Sequence, residues 1–138
     1  MDFDVPLADG QAAATRIAGK VRRTPTFHSA GLSARLGVET WVKVESLQLG
    51  GSFKVRGCTN KLMGLSEAEL KRGVVTVSGG NHAIALSLVA RSMGARALVL
   101  MAKATPTLNI ELTRQAGGEV ELCEDSIAAF ARAEDYAA

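Results

Sequence analysis

The chain has 138 residues, 16 Lys and Arg against 14 Asp and Glu for a net charge of +2, and 47% hydrophobic residues. That length suffices for one domain with a sizeable core, while so mild a charge, scattered apart from Arg22-Arg23, excludes the basic face that nucleic-acid binding needs. An apolar run of about eighteen residues is missing, and a start carrying Asp2 and Asp4 lacks a signal peptide's basic region, so a cytoplasmic protein with neither membrane nor nucleic-acid partners is expected.

Residues near 9–20 are predicted to be helical with Asp9 as the cap, and Leu32 to Leu36 forms a short helix opened by Ser29 or Ser33. Thr40 to Glu45 alternates as a strand, and Ser52 to Met63 suits a helix. Ser66-Glu67-Ala68-Glu69 begins another with a capping box, in which the serine and the glutamate three residues on satisfy each other's backbone N–H. There follow strand 74–78, helix 81–93, strand 96–101, helix 106–116 with Pro106 near its first turn, strand 119–123 and helix 126–137. Strands alternating with helices imply an α/β fold, a parallel sheet with helices on both faces.

Cys58 and Cys123 have no C-x-x-C partner, so free thiols are expected and no metal site. Cys58 lies on the apolar face of its helix and is read as core. His28 is read as surface or packing, and Trp41 as a core or interface aromatic. There is no internal repeat, low-complexity stretch or linker.

Two segments carry chemistry. Gly51-Ser52-Phe53-Lys54-Val55-Arg56 places a lysine after a glycine pair, at the start of a helical pattern. An ordinary lysine amine, with a pKa near ~10.4, is a poor nucleophile at neutral pH, but burial or a nearby cation frees it. By itself the hexapeptide equally describes a solvated charge near a helix start.

Downstream, the β-branched run Val74-Val75-Thr76-Val77 feeds directly into Ser78-Gly79-Gly80-Asn81-His82, followed by small apolar residues from Ala83 to Met93. At such a strand, glycine turn and helix junction, free backbone N–H groups and the positive end of the helix dipole favour a bound anion. The plainer reading is a tight turn with Asn81 capping the helix. The G-x-G-x-x-G spacing of a dinucleotide site is not present, and Val55 follows Lys54 where a Walker motif needs Ser or Thr.

Glu45-Ser46-Leu47-Gln48, Gly51-Ser52-Phe53-Lys54-Val55-Arg56-Gly57 and Ser78-Gly79-Gly80-Asn81-His82-Ala83 together resemble the serine/threonine dehydratase and serine racemase family of pyridoxal-phosphate enzymes, fold type II. The likeness starts near Arg23-Thr24-Pro25 and covers about 115 residues. It implies residues 1–50 as the leading segment of a larger cofactor domain and 51–138 as a smaller α/β domain. The family's later glycine-rich phosphate loop has no counterpart after Gly117-Gly118, so the chain is expected to be the front part of an enzyme, impaired by itself. A homo-oligomer or a complementing C-terminal half is the expected partner, with apolar surface left open for it.

Carried over by residue, the resemblance makes Lys54 the covalent attachment point for pyridoxal 5'-phosphate and the base for the substrate's α-hydrogen. Phe53 would pack on the cofactor ring and Asn81 would bond its 3'-hydroxyl. Ser78, Gly79, Gly80, Asn81 and His82 would receive the α-carboxylate. The implied reaction is β-elimination from a hydroxy amino acid such as L-threonine or L-serine, giving a 2-oxo acid and ammonia.

Two departures matter. Gly79 stands where the family's racemases have a proton-carrying serine, which favours elimination over racemisation. Leu49-Gly50 stands where Pro-Thr is frequent, which removes a fixed φ and is expected to loosen the loop. The competing function is a non-catalytic α/β module whose turn binds a small carboxylate or a partner protein.

Overall fold

The computed structural model describes residues 5–137; the acidic pair Asp2 and Asp4 lies outside them. Three parallel strands, β3 (Val74–Val77), β4 (Ala97–Ala102) and β5 (Glu119–Cys123), run in the order β3-β4-β5, with Val75 opposite Leu98 and Val99 opposite Val120. Right-handed crossovers put α5 (Asn81–Ser92) and α6 (Thr107–Gln115) on one face, packed against each other. Helix α7 (Ser126–Ala137) crosses all three strands on the opposite face. The α/β fold with helices on both faces of a parallel sheet is therefore as the sequence pattern predicts.

A helix without a strand of its own completes the site. α3 (Lys54–Leu62) packs along α5, where Val55, Cys58 and Leu62 meet Ala85, Leu86, Val89 and Ala90. The alanines of α5 let the two helices approach closely, so one face of α3 is set into the core. Truncating fully buried Leu62 to Ala would cost about 2–5 kcal/mol. A second cluster, Ala83, Val99, Met101 and Ile110, locks α5 and α6 onto β4.

The leading segment is less enclosed. α1 (Leu7–Arg16) starts at Pro6 with no side-chain cap, and Asp9 sits inside the first turn, its N–H bonding the Pro6 carbonyl at 3.0 Å. Asp9 is thus not the cap: proline's fixed φ opens the helix two residues earlier, and the helical pattern stops four residues short of 20. α2 (Ala30–Leu36) is capped by Ser29, the first of the two serines considered.

A strand pair frames α2. β1 (Thr26–His28), which the sequence pattern does not announce, pairs antiparallel with β2 (Trp41–Lys43), Phe27 opposite Val42. Trp41 is 59% exposed, with its ring edge-on to His28 at 5.6 Å, so it is no core residue. Phe27, Leu32, Leu36 and Val38 are exposed beside it. α4 (Glu67–Arg72) has the full capping box, Ser66 and Glu69 bonding reciprocally. Among the described residues no helix is long and apolar enough to cross a membrane.

Candidate active site

The approach to Lys54 is fixed by a chain reversal. After β2 the backbone makes two successive 3-10 turns, Glu45–Leu47 and Leu49–Gly51, with Gly50 at φ 69° and Gly51 at φ 71°. Those left-handed conformations suit glycine alone, and a Cβ on Gly50 would stand 2.9 Å from Leu88 Cδ1. Gln48, 2% exposed, fastens the turn: its Nε2 donates to the Arg22 carbonyl and its Oε1 accepts from the Arg22 N–H, both at 2.8 Å. Ser52 is then extended and α3 begins at Lys54.

Two positions beyond Lys54, Arg56 turns back to Glu45. Its Nε and Nη2 donate to the two carboxylate oxygens at 2.8 and 2.7 Å, and the Thr24 hydroxyl donates to Oε1 at 2.5 Å. The guanidinium bonds, reinforced by Thr24 and opposed by burial, hold the Glu45 carboxyl down at about 2. The network ties two separated pieces of chain, at Thr24 and at Glu45, to the helix that carries the lysine.

The glycine turn is built at the end of β3. Ser78 N–H still bonds Leu100 O at 3.1 Å, Gly80 occupies the capping position with no side-chain cap, and Asn81 is the first residue of α5. Asn81 therefore does not cap the helix. The Gly80 carbonyl accepts from Ala83 and Ile84, and the N–H groups of Asn81 and His82 have no protein acceptor among the described residues. Asn109 of α6 donates to Gly79 O at 2.8 Å, steadying the turn from outside. A Cβ on Gly79 would lie 2.9 Å from Thr105 Oγ1, so the space a side chain would use is already taken.

The charge of Lys54 is felt at the start of α5. Lys54 is exposed, its Nζ 4.9 Å from the centroid of the Phe53 ring, which is itself 59% exposed. Burial lowers the pKa of His82, and the Lys54 charge lowers it further; the same charge partly opposes the rise that burial imposes on Cys58. Cys58 Sγ lies 3.6 Å from His82 Nδ1. The thiol and the imidazole thus meet where α3 packs on the start of α5, and both feel the Lys54 charge.

These groups can take a planar aldehyde that carries an anion. Lys54 supplies the amine, Phe53 an open aromatic face, and the start of α5 free N–H donors for a carboxylate. Ser52, 7% exposed, has a hydroxyl with no hydrogen-bond partner among the described residues, a buried polar group positioned one residue before Phe53. The residues present fit pyridoxal phosphate, and fold and site together define an α/β domain of the kind that carries that cofactor.

The chain belongs to the pyridoxal-phosphate dependent enzyme family, whose model matches residues 17–138. It is 42% identical over 118 residues to the L-threonine ammonia-lyase of Thermotoga maritima, covering 86% of this chain and 29% of that protein. It is also 42% identical over 108 residues to the L-threo-3-hydroxyaspartate ammonia-lyase of a Pseudomonas species, covering 78% of this chain and 34% of that one. The structure of maize serine racemase superposes with a TM-score of 0.86 at 30% identity, over 97% of this chain and 41% of that chain. The chain spans about a third of the length of these curated relatives.

Sequence reasoning placed the lysine and the turn on their elements but missed what holds them. Glu45 and Gln48 carry the resemblance, yet their partners Arg56 and Arg22 lie on other segments. The Cys58–His82 contact joins residues 24 positions apart, and only the predicted apolar face of α3 hinted that Cys58 points at α5.

Proposed function

We propose that this chain forms the lysine-bearing part of a pyridoxal-phosphate-dependent ammonia-lyase that converts a hydroxy amino acid such as L-threonine or L-serine to a 2-oxo acid and ammonia. The observation that carries this reading is the start of α5, where the Asn81 and His82 N–H groups have no protein acceptor among the described residues and so suit an α-carboxylate, with the Lys54 charge felt at His82. Relatives named for ammonia-lyase activity support the reaction class. In the same reading residues 1–50 belong to a larger cofactor domain and 51–138 to the smaller one. The exposed Phe27, Leu32, Leu36 and Trp41 then await a second copy or a complementing C-terminal half.

Each residue has a task. The α5 N–H groups of Asn81 and His82 hold the substrate's carboxylate, which sets its Cα against the Lys54 amine. Bound pyridoxal phosphate supplies an electron sink for negative charge at Cα. Lys54 Nζ takes the α-proton, the Cβ–O bond breaks and the hydroxyl leaves as water with a proton returned by the Lys54 ammonium, and one water then hydrolyses the imine tautomer of the enamine product to the 2-oxo acid and ammonia. Phe53 shields one side of the site from water. Ser78 and Gly80 shape the turn, and Asn81 would bond the cofactor's 3'-hydroxyl. Gly79 offers no group for returning a proton on the other face, which favours elimination over racemisation.

Mixing the purified chain with pyridoxal phosphate and reducing with borohydride tests the reading directly. Peptide mass analysis is expected to find the cofactor fixed on Lys54, and Lys54→Ala to lose it. Labelling spread over surface lysines in both proteins would refute the role of Lys54.

A further inference from the structure

Cys58 and His82 form a contact that the proposed reaction does not use. Cys58 is four residues after Lys54 on α3, so the two share a face of that helix, while His82 is the second residue of α5. Cys58 is 3% exposed and packed among Leu62, Leu86 and Val89, which leaves its side chain little freedom. Its Sγ stands 3.6 Å from His82 Nδ1, a hydrogen-bond span for the large sulfur atom. The other ring nitrogen, Nε2, has no protein partner among the described residues.

The protonation of both groups follows from their surroundings. Burial raises the thiol's pKa by more than the Lys54 charge lowers it, so the sulfur keeps its proton. Burial and then the Lys54 charge lower that of His82, so the ring is neutral, with one nitrogen a donor and the other an acceptor. A protonated thiol at Nδ1 is best met by an acceptor there. The reverse tautomer would pair Nδ1–H with a weak sulfur acceptor and leave a bare lone pair on Nε2, beside a turn suited to anions.

We propose that Cys58 is a positioning residue: its S–H holds Nδ1 of His82, so that the ring carries its proton on Nε2 and offers it as a further donor to the carboxylate received at the start of α5. The first half stands on the contact itself; the second rests on the function proposed above. The thiol acts through the imidazole and touches no substrate. Its value to the site is a donor with a fixed direction, added without adding a charge beside Lys54.

Nitrogen-15 NMR of the imidazoles in the full chain tests the first half, with His28→Gln assigning the two rings. The Nε2–H tautomer is expected to dominate for His82, to persist in Cys58→Ser, and to give way to a mixture in Cys58→Ala. Cys58→Val, closer in volume, repeats the test should the alanine variant unfold. An Nδ1–H tautomer or an imidazolium in the unaltered chain, or a tautomer unmoved by both Ala and Val, would overturn the assignment. Titration with acetate, read on the Asn81 and His82 amides, tests the second half. Affinity is expected to fall about three- to tenfold in Cys58→Ala, the worth of one hydrogen bond, and to hold within about twofold in Cys58→Ser. Acetate affinity equal in all variants would overturn the donor role. A fixed Nε2–H tautomer in a chain that binds no acetate would uphold the thiol's grip and instead refute the reading of the turn.

Discussion

Arg56 and Glu45 meet through two parallel bonds of 2.8 and 2.7 Å, and both side chains are half-buried. The pair joins the first turn of α3 to the 3-10 turn that precedes it, so the helix presenting Lys54 cannot rotate without breaking it. Such a fork is a property of guanidinium, not of positive charge alone. Arg56→Ala would leave the Glu45 carboxylate with the Thr24 hydroxyl only, and is expected to lower unfolding free energy by about 2–3 kcal/mol. Arg56→Lys should recover less than half of that. Urea titrations of the three proteins check both numbers, and equal stability of Ala and Lys variants would show that the fork contributes nothing beyond bulk.

The same pair sets an acid limit. The folded-state pKa of Glu45 lies at about 2, below its ordinary 4.5. Its contribution is therefore complete above about 4.5 and is lost as pH falls towards about 2. Glu69, Glu119 and Glu121 are lowered as well, chiefly by bonds from Ser66, Arg96 and Tyr136, so the whole chain weakens in acid. Glu45→Gln is expected to be less stable at pH 7 and to show a flatter decline between pH ~5 and ~2 than the unaltered chain. Thermal unfolding across that range decides it, parallel declines being the contrary result.

The elements that sequence made legible are those whose signals are local. β3, the glycine turn and α5 were readable because β-branched residues, Gly-Gly and an alanine-rich helix follow one another without a gap, and the capping box at Ser66 lies within four residues. β1 was not, because three exposed residues with no alternation carry no period. Of the two readings of Trp41, core or interface, its open face removes the first and leaves the second. The supports of the site were hidden for another reason. Glu45 with Arg56, Gln48 with Arg22 and Cys58 with His82 are pairs made by the fold, 11, 26 and 24 positions apart, and no local pattern encodes them.

Gly50 tests whether the reversal before Lys54 tolerates any side chain. Its φ of 69° is costly for alanine, and the added carbon would press on Leu88 Cδ1 at 2.9 Å. Gly50→Ala is expected to cost about 1–3 kcal/mol. Leu88→Ala should relieve the crowding but not the backbone strain, so the double variant should keep roughly 1 kcal/mol of penalty beyond that of Leu88→Ala alone. Complete rescue by the second change would mean that space, not conformation, demands glycine there.

Gly79 poses the opposite case, since its backbone is open to any residue and only Thr105 stands in the way. A Cβ at 79 would lie 2.9 Å from Thr105 Oγ1 and 3.2 Å from Cγ2, but 3.6 Å from Cβ, so alanine at 105 removes the two close atoms and leaves ordinary contact. Gly79→Ser alone is expected to cost about 1–3 kcal/mol, because Thr105 is tied to Ala102 O at 2.9 Å just before α6 and the turn is also held by Asn109. In a Thr105→Ala background the same change should cost about 1 kcal/mol less, a coupling that a double-mutant cycle in urea would measure. Equal cost of the serine in both backgrounds would show that Thr105 moves aside freely and that position 79 is glycine for some other reason.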